Sequence, residues 1–225
     1  MPQSHHHSTI THIANGAERW AAMWQALGAA KPPSGAFETL MQHWREPHRR
    51  YHTVEHLQEC LSSFDEAAEL AVKRGEVELA IWYHDAVYEI GVDSNELKSA
   101  YLAERAMTSA GCDRDAIGRV RSLILATRHH GQPETTDEAL LLDIDLAILG
   151  SATARFDRFD ADIREEYHAI PWSKYVAGRR QVLRGFLERP RLYFTGHFHD
   201  RLAAAAHTNL SRALKRLQPL RGLPG

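Results

Sequence analysis

The sequence lacks several features that would place it in a specialised class of proteins. It has only two cysteines, Cys60 and Cys112, and they form no C-x-x-C pair, which argues against a disulfide scaffold and against a thiolate metal site. No stretch approaches the roughly 18 consecutive apolar residues of a membrane span. The N-terminal stretch has no apolar segment of the kind found in signal peptides. We therefore expect a cytoplasmic protein without a membrane span.

The chain also lacks an excess of charge of either sign. Its 27 basic and 29 acidic residues leave a formal net charge of −2, whereas proteins that bind nucleic acids or membrane surfaces usually carry a basic face. No P-loop and no G-x-G-x-x-G motif is present. We therefore expect no nucleic-acid partner and no membrane partner. Small-molecule substrates stay open, and no pattern indicates an oligomeric state.

What the sequence does contain is helical periodicity along almost its whole length. Apolar residues recur at intervals of three and four, and no segment sustains the alternation of a strand. We predict an all-α protein, with a single compact helical domain over residues 17–217 between a flexible N-terminal segment 1–16 and a loose C-terminal tail 218–225. Helices are predicted near residues 17–27, 37–45, 53–72, 77–88, 153–167, 172–187 and 201–217, with three more ending near residues 110, 129 and 150.

Local signals mark where several of these helices begin and end. Asp93 and Thr135 each precede a glutamate by three residues, which is the spacing of a capping box. Asp113 is a further N-cap candidate. Gly111 and Gly75 stand where a helix is expected to end, because glycine readily adopts the left-handed conformation found there.

Histidine is abundant, at 15 residues, and one pair of residues stands in an unusual place. The stretch IWYHDAVYEI carries His84 and Asp85 inside a strongly apolar helix. His84 follows Val77 and Ile81 at helical intervals, so it falls on the apolar face. An ionised carboxylate brought toward a core costs several kcal/mol unless a cation or hydrogen-bond donors replace its hydration. The pair therefore either satisfies itself by hydrogen bonds or binds a cation. No role is assigned to the histidines of residues 5–7.

Two other segments offer further metal ligands. RRYHTVEHLQECL has His52 and His56 four residues apart, on one face of a helix, and LLLDIDLAIL has Asp143 and Asp145 inside an apolar run. Imidazole nitrogens combined with two carboxylates suit a first-row divalent ion, whose charge the carboxylates cancel. The residues by themselves leave open which histidine and which aspartate would ligate.

The order of these residues resembles the H…HD…D signature of the HD superfamily of metal-dependent phosphohydrolases. Within the superfamily, the chain resembles a bacterial subgroup of predicted HD-superfamily hydrolases. The likeness extends over roughly residues 17–210. Its further segments are IWYHDAVYEIGVDSNELKSA, LILATRHH, LLDIDLAILG, IREEY and RRQVLRGFLERPRLYFTGHFHD. Near the C-terminus the chain departs from the subgroup, because LAAAAHTNL stands where an acidic residue and an arginine are common.

The resemblance implies an all-α, HD-domain-like bundle and a set of metal ligands. These are His56, His84, Asp85 and Asp145. His52 is the alternate to His56 and would otherwise lie at the rim of the site. Asp143 is the alternate to Asp145 and would otherwise orient a ligand. The ion would be Mn²⁺, Fe²⁺, Co²⁺, Ni²⁺, Zn²⁺ or Mg²⁺.

The resemblance also implies a reaction and further site residues. A bound ion would activate water for attack on the phosphorus of a small phosphorylated substrate such as a nucleotide, so that the chain would be a phosphomonoesterase or a phosphodiesterase. Asp85 and His130 are assigned to catalysis, and Glu89 could transfer a proton. His130 could instead interact with a helix C-terminus. Arg49, Arg50 and Arg128 are either charge-stabilising residues or solvated surface charges, and Asn95, Glu96 and Ser99 form a motif of the subgroup. The alternative function is a non-catalytic module that binds metal and ligand.

Overall fold

The structure is a computed structural model that describes the backbone of residues 7–217 and the side chains of residues 16–217. Within these residues it contains ten α-helices, two short 3₁₀ segments and no strand, so the predicted all-α class is confirmed. The predicted tail 218–225 lies outside the described residues. The helices are α1 (His7–Ala26), α2 (Ala36–Trp44), α3 (Val54–Ala67), α4 (Arg74–Tyr83), α5 (Asn95–Ser109), α6 (Arg114–Ala126), α7 (Thr136–Asp145), α8 (Thr153–Glu166), α9 (Trp172–Leu187) and α10 (Gly196–Arg216).

Several predicted helix boundaries are confirmed by their hydrogen bonds. The side chain of Asp113 accepts from two backbone N–H groups of α6, and the hydroxyl of Thr135 accepts from the N–H of Glu138 at the start of α7. Gly111 adopts a φ of 74° after α5, as its position predicted. No side-chain cap starts α5, so the capping box predicted at Asp93 does not form.

Other boundaries differ from the prediction. Helix α1 begins at His7 and not near Ala17, and α10 begins at Gly196, five residues before the predicted start at 201, because the hydroxyl of Thr195 caps it. Gly75 does not end the third helix but lies in the first turn of α4. None of the helices in the described part of the chain is long and apolar enough to cross a membrane.

Helix α4 lies at the centre of the fold. It packs against α1, α3, α5, α6 and α7, and residues such as Val77, Leu79 and Ile81 are completely buried. A helix that is apolar on all sides is buried on all sides. The C-terminal end of α4, which carries His84 and Asp85, is therefore held inside the protein.

The helix predicted over residues 77–88 ends at Tyr83, because side chains take over the backbone hydrogen bonds beyond that point. The guanidinium of Arg49 donates to the carbonyl oxygens of Asp85 and Ala86. The hydroxyl of Ser99 accepts from the N–H of Val87, and the amide of Asn95 bonds both the N–H and the carbonyl of Glu89. A tight turn thus replaces another helical turn without leaving buried polar groups unpaired.

The C-terminal half of the fold forms the opposite wall around this turn. After α7, residues 146–150 form a 3₁₀ segment that packs closely on α10. A Cβ added to Gly150 would lie 2.6 Å from the Cβ of Leu202, so glycine is required for this approach. Helices α8 and α9 then extend beside the turn and enclose the space in front of it.

Candidate metal centre

Three helices bring four predicted ligands to one point. His56 lies on α3, His84 and Asp85 follow the last turn of α4, and Asp145 ends α7. The two histidines are 2% and 1% exposed. The side chains of the two aspartates are 15% and 13% exposed. These residues are far apart in sequence, so their convergence is a property of the fold.

The separations between their donor atoms match the edges of a metal coordination polyhedron. The Nε2 atoms of His56 and His84 are 3.2 Å apart, and the Oδ2 of Asp85 lies 3.2 Å from Nε2 of His84 and 3.7 Å from Nε2 of His56. The Oδ1 of Asp145 lies 3.3 and 3.5 Å from the same two nitrogens. Donors about 2.1 Å from one ion are about 3.0 Å apart at a right angle and about 3.4 Å apart at the tetrahedral angle. The residues therefore fit a divalent ion.

The surrounding residues orient the histidines for binding an ion. The Nδ1 of His84 lies 2.8 Å from the carbonyl oxygen of Ile81, so Nδ1 carries the proton and Nε2 presents its lone pair to the site. The ring of Tyr51 packs 4.7 Å from that of His56, and the indole of Trp44 packs 5.7 Å from that of His84. These aromatic rings exclude water behind the ligands, which strengthens electrostatic attraction at the site.

The ionisable groups of the site depend strongly on one another. Burial alone would lower the pKa of His84, but the charges of Asp85 and Asp145 outweigh it and raise the pKa well above its ordinary value. Burial alone would raise the pKa of Asp145, but His84, together with hydrogen bonds from His130 and His56, holds it well below the ordinary value. The two carboxylates are thus ionised and attract positive charge. A bound divalent cation would supply that charge, and the imidazoles would then not need to be protonated.

His130, predicted from the family resemblance, contacts this cluster. Its Nε2 lies 2.8 Å from Oδ2 of Asp145, the oxygen that does not face the two histidines. Its backbone has a φ of 46°, an uncommon conformation for a residue other than glycine. The bond to His130 orients the Asp145 carboxylate so that Oδ1 points to the other ligands. His130 is therefore a positioning residue of the site.

Cys60 also lies beside the cluster, because it follows His56 by four residues on the same face of α3, although the sequence analysis did not single it out for the site. One ligand atom from each of His56, Cys60, His84 and Asp145 lies within 4.8 Å of the others, so this buried group could hold a metal ion. The Sγ of Cys60 is 3.7 Å from both ring nitrogens of His56. The sulfur is therefore beside the imidazole ring and not beyond Nε2, where an ion would bind. Burial raises the pKa of the thiol well above its ordinary value. Because of the position of the sulfur beside the ring, we assign Cys60 to the wall of the site.

Asp143, the alternate to Asp145, points away from the cluster. Its carboxylate is completely buried and accepts hydrogen bonds of 2.7 Å from the N–H of Phe194, the N–H of Thr195 and the hydroxyl of Thr195. The carboxylate thus joins α7 to the start of α10. Asp143 is therefore not placed to ligate the ion or to orient a ligand, because both of its carboxylate oxygens accept hydrogen bonds from residues 194 and 195.

His52, the alternate to His56, is held at the rim. Its Nδ1 lies 2.8 Å from Oε2 of Glu166, and its ring stacks on Tyr88 at 4.0 Å. The remaining ring nitrogen, Nε2, is the one available to a ligand in the cavity in front of the site. This agrees with the predicted position of His52 beside the metal ligands and not among them.

Glu166 is a site residue that the sequence analysis did not single out, although it lies in the IREEY segment of the family resemblance. Its side chain is completely buried. One oxygen accepts from the N–H groups of Arg50, Tyr51 and His52, and the other bonds His52 and the hydroxyl of Tyr88. Burial alone would raise the pKa of Glu166, but the charge of His52 and these hydrogen bonds lower it to about 2. The signal that could have found Glu166 is its spacing, because it follows Phe159 and Ile163 at helical intervals on the apolar face of α8, whereas Glu165 is exposed.

The structure does not bring all predicted residues together. The carboxylate of Glu89 pairs with Lys98 at 2.7 Å, and its side chain is 55% exposed and outside the cluster. The side chain of Arg50 is exposed and donates to the carbonyl oxygens of Pro47 and Arg49. Asn95 and Ser99 act through the backbone of residues 87–89, as described for the end of α4. They shape the turn that carries the ligands and do not contact the ligands.

A cavity of about 1090 Å³ opens in front of the ligands. Asp85, Asp145, His130 and His52 reach it from the cluster. Most of the rest of its wall is formed by α8, α9 and the segment after α6. That wall is partly apolar and partly basic, and its residues include Phe159, Leu183, Phe186, Arg128, Lys174, Arg179 and Arg189.

Arg49 is a buried clamp and not the solvated charge or the phosphate-facing residue that the sequence suggested. Its side chain is fully buried. It donates to the carboxylate of Glu46 and to the carbonyl oxygens of His52, Asp85 and Ala86. One guanidinium therefore joins the segment before α3 to the turn after α4, and both segments carry site residues.

We expect Arg49→Lys to weaken both the fold and the site. An ammonium cannot reproduce the planar fork that reaches several acceptors at once, so buried carbonyls of the turn lose their donors. The free energy of unfolding should fall by about 2–4 kcal/mol in chemical denaturation, and the affinity for a divalent ion should fall by about 10- to 100-fold. The neighbouring Arg50→Lys is the control, and equal effects of the two substitutions would contradict the clamp.

Comparisons of this chain with protein-family models, with curated proteins and with solved structures return no match. The candidate function therefore rests on the residues of the site and on their geometry.

Proposed function

We propose that this chain is a metal-dependent phosphohydrolase of the HD type that acts on a small phosphorylated compound. The observation that carries the proposal is the convergence of two imidazole nitrogens and two carboxylate oxygens at coordination distances, beside a large cavity with a basic wall. The resemblance of the sequence to HD-superfamily enzymes supports the same reaction.

The residues of the site would have different roles in hydrolysis. A bound divalent ion would polarise a water molecule and a phosphoryl oxygen. The ion would be held beside the cavity by the four candidate ligands His56, His84, Asp85 and Asp145. His130 keeps the Asp145 carboxylate in its ligating orientation, and the aromatic rings behind the histidines exclude bulk water.

His52 is the candidate proton donor to the leaving group. Glu166 holds its Nδ1, Tyr88 packs against its ring, and the cavity that contains Asp85 also contains His52. An imidazole fixed in this way is able to present Nε2 to the oxygen that leaves phosphorus. Glu166 would act through His52 as a positioning residue.

Elemental analysis combined with a phosphate-ester screen tests the proposed function. The protein should be prepared with the histidines of residues 5–7 replaced by alanine, so that they cannot bind metal. We expect about one or two equivalents of a divalent ion and phosphate release that stops with a chelator and resumes with added ions. Retention of an ion without turnover of any ester would favour the non-catalytic binding module. Absence of a bound ion would contradict the proposed function and would favour a buried polar network that serves only folding.

His52→Gln should affect substrates according to their leaving group. Hydrolysis of an alkyl phosphate should slow by about 100-fold, because its alkoxide needs a proton as it leaves. Hydrolysis of p-nitrophenyl phosphate should change much less, since nitrophenolate leaves without one. The ratio of the two kcat values is the measurement, and His168→Gln, at an exposed position outside the cavity, is the control. Equal slowing of both esters would show that His52 shapes the site without donating a proton.

A further inference from the structure

The cavity in front of the ligands is larger than a scissile phosphate requires. Its volume of about 1090 Å³ is slightly above the range of roughly 300–1000 Å³ for small-molecule sites. Of the four candidate ligands, Asp85 and Asp145 line it. Most of the cavity is therefore available to the part of the substrate that is not cleaved. The charges along the cavity wall indicate which chemical groups that part carries.

Four cations line the cavity, and they differ in what they already bind. Arg179 donates twice to the carboxylate of Asp160. Arg189 donates to the carbonyl oxygen of His129 and packs over Phe186. Arg179 is therefore engaged by the protein itself, whereas Nη1 of Arg189 is buried without a hydrogen-bond partner among the described residues.

Arg128 and Lys174 are the other two cations. Both are exposed to the cavity, and neither side chain has a hydrogen-bond or ion-pair partner among the residues that the structure describes. They come from different elements, the segment after α6 and the first turn of α9. Two unpartnered cations on one cavity wall are suited to an anionic group of a ligand.

The acidic residues of the cavity lie on other parts of its wall. Asp85 and Asp145 belong to the ligand cluster, where a divalent ion would cancel their charge. Asp93 and Glu96 line the wall that continues from the turn after α4. A second anion is therefore disfavoured there and favoured on the wall formed by α9 and the segment after α6.

We propose that the preferred substrates carry a second anionic group besides the scissile phosphate, and that Arg128 and Lys174 bind it. This inference rests on the proposed function and narrows its substrate class. The second group is a phosphate or a carboxylate, because both present anionic oxygens to the two cations. Arg128 and Lys174 are specificity residues that do not take part in the bond-breaking step.

Three probes of similar size distinguish the alternatives. Glucose 6-phosphate has no second anion, 6-phosphogluconate has a distant carboxylate, and glucose 1,6-bisphosphate has a distant phosphate. We expect KM for at least one of the doubly anionic probes to be about tenfold lower than KM for glucose 6-phosphate. The probe with the lower KM identifies the second group. Dissociation constants from titration calorimetry of the ion-loaded chain should follow the same order.

Arg128→Ala and Lys174→Ala should each remove this preference. KM for the doubly anionic probe should rise by about tenfold, with little change in its kcat and little change in KM for glucose 6-phosphate. Arg184→Ala is the matched control, since Arg184 is an exposed arginine of α9 outside the cavity lining. Its substitution changes the net charge equally and should leave the preference intact.

Equal KM values for the three probes would overturn the inference. So would a rise in KM of the same size for all three probes in the Arg128 and Lys174 variants, because the residues would then act on the scissile phosphate or through general charge. If no ester is hydrolysed, the calorimetric order still tests the inference. A preference for the doubly anionic probes that Arg128→Ala removes would then support the anion site, while the proposed hydrolysis fails.

Discussion

Asp85→Ala is expected to abolish ion-dependent hydrolysis and to release the metal. The substitution removes one of the two carboxylates that cancel the charge of a divalent ion, and it leaves a gap beside the Nε2 atoms of His84 and His56. Substitution of a residue that merely orients a ligand costs about 10- to 100-fold in metal affinity, so loss of a ligand should exceed that. Metal content after dialysis and kcat with several added ions are the measurements.

The control for this experiment is an aspartate on the surface. Asp200→Ala, at an exposed position of α10 after its first turn, removes the same charge and should leave the metal content and kcat unchanged. Full ion-dependent hydrolysis by the Asp85 variant would reject the ligand set. Circular dichroism of both variants should show unchanged helix content, since the backbone carbonyl of residue 85, and not its side chain, bonds Arg49.

Asp143→Ala is expected to have the largest effect on stability. The carboxylate of Asp143 accepts three hydrogen bonds from residues 194 and 195 and is completely buried. Its removal leaves three donors without an acceptor between α7 and α10, and each buried unpaired donor costs about 1–3 kcal/mol. The free energy of unfolding should fall by about 3–5 kcal/mol in chemical denaturation, in the metal-free and in the metal-loaded protein alike.

Asp145→Ala provides the contrast, because the two aspartates lie two residues apart on the same helix. The Asp145 variant should lose the ion, whereas the Asp143 variant should bind an ion normally at temperatures where it is folded. Asp143→Asn keeps one acceptor oxygen and should lose less stability than the alanine variant. Loss of the ion from the Asp143 variant without a loss of stability would contradict this assignment, because it would show that Asp143, and not Asp145, has the role of the ligand.

Helix content and the general position of most helices followed from the sequence. Apolar residues at helical spacing predicted α2, α8 and α9 within one or two residues, and Asp113, Thr135 and Gly111 marked boundaries that the structure confirms. These features are local, because a cap or a glycine acts on its own turn. The end of α4 could not be predicted in this way. It depends on Arg49, Asn95 and Ser99, which come from other parts of the chain.

The chemistry of the site can be read from the sequence, because a histidine and three aspartates inside apolar helices require compensation wherever those helices pack. Which of these residues meet depends on how the helices pack in three dimensions. His56 and Asp145 converge with His84 and Asp85, while Asp143 turns to the start of α10. The reason is that one step along a helix changes the direction of a side chain by about 100°. Neighbouring residues of the same type can therefore serve different partners, and the packing of distant helices selects between them.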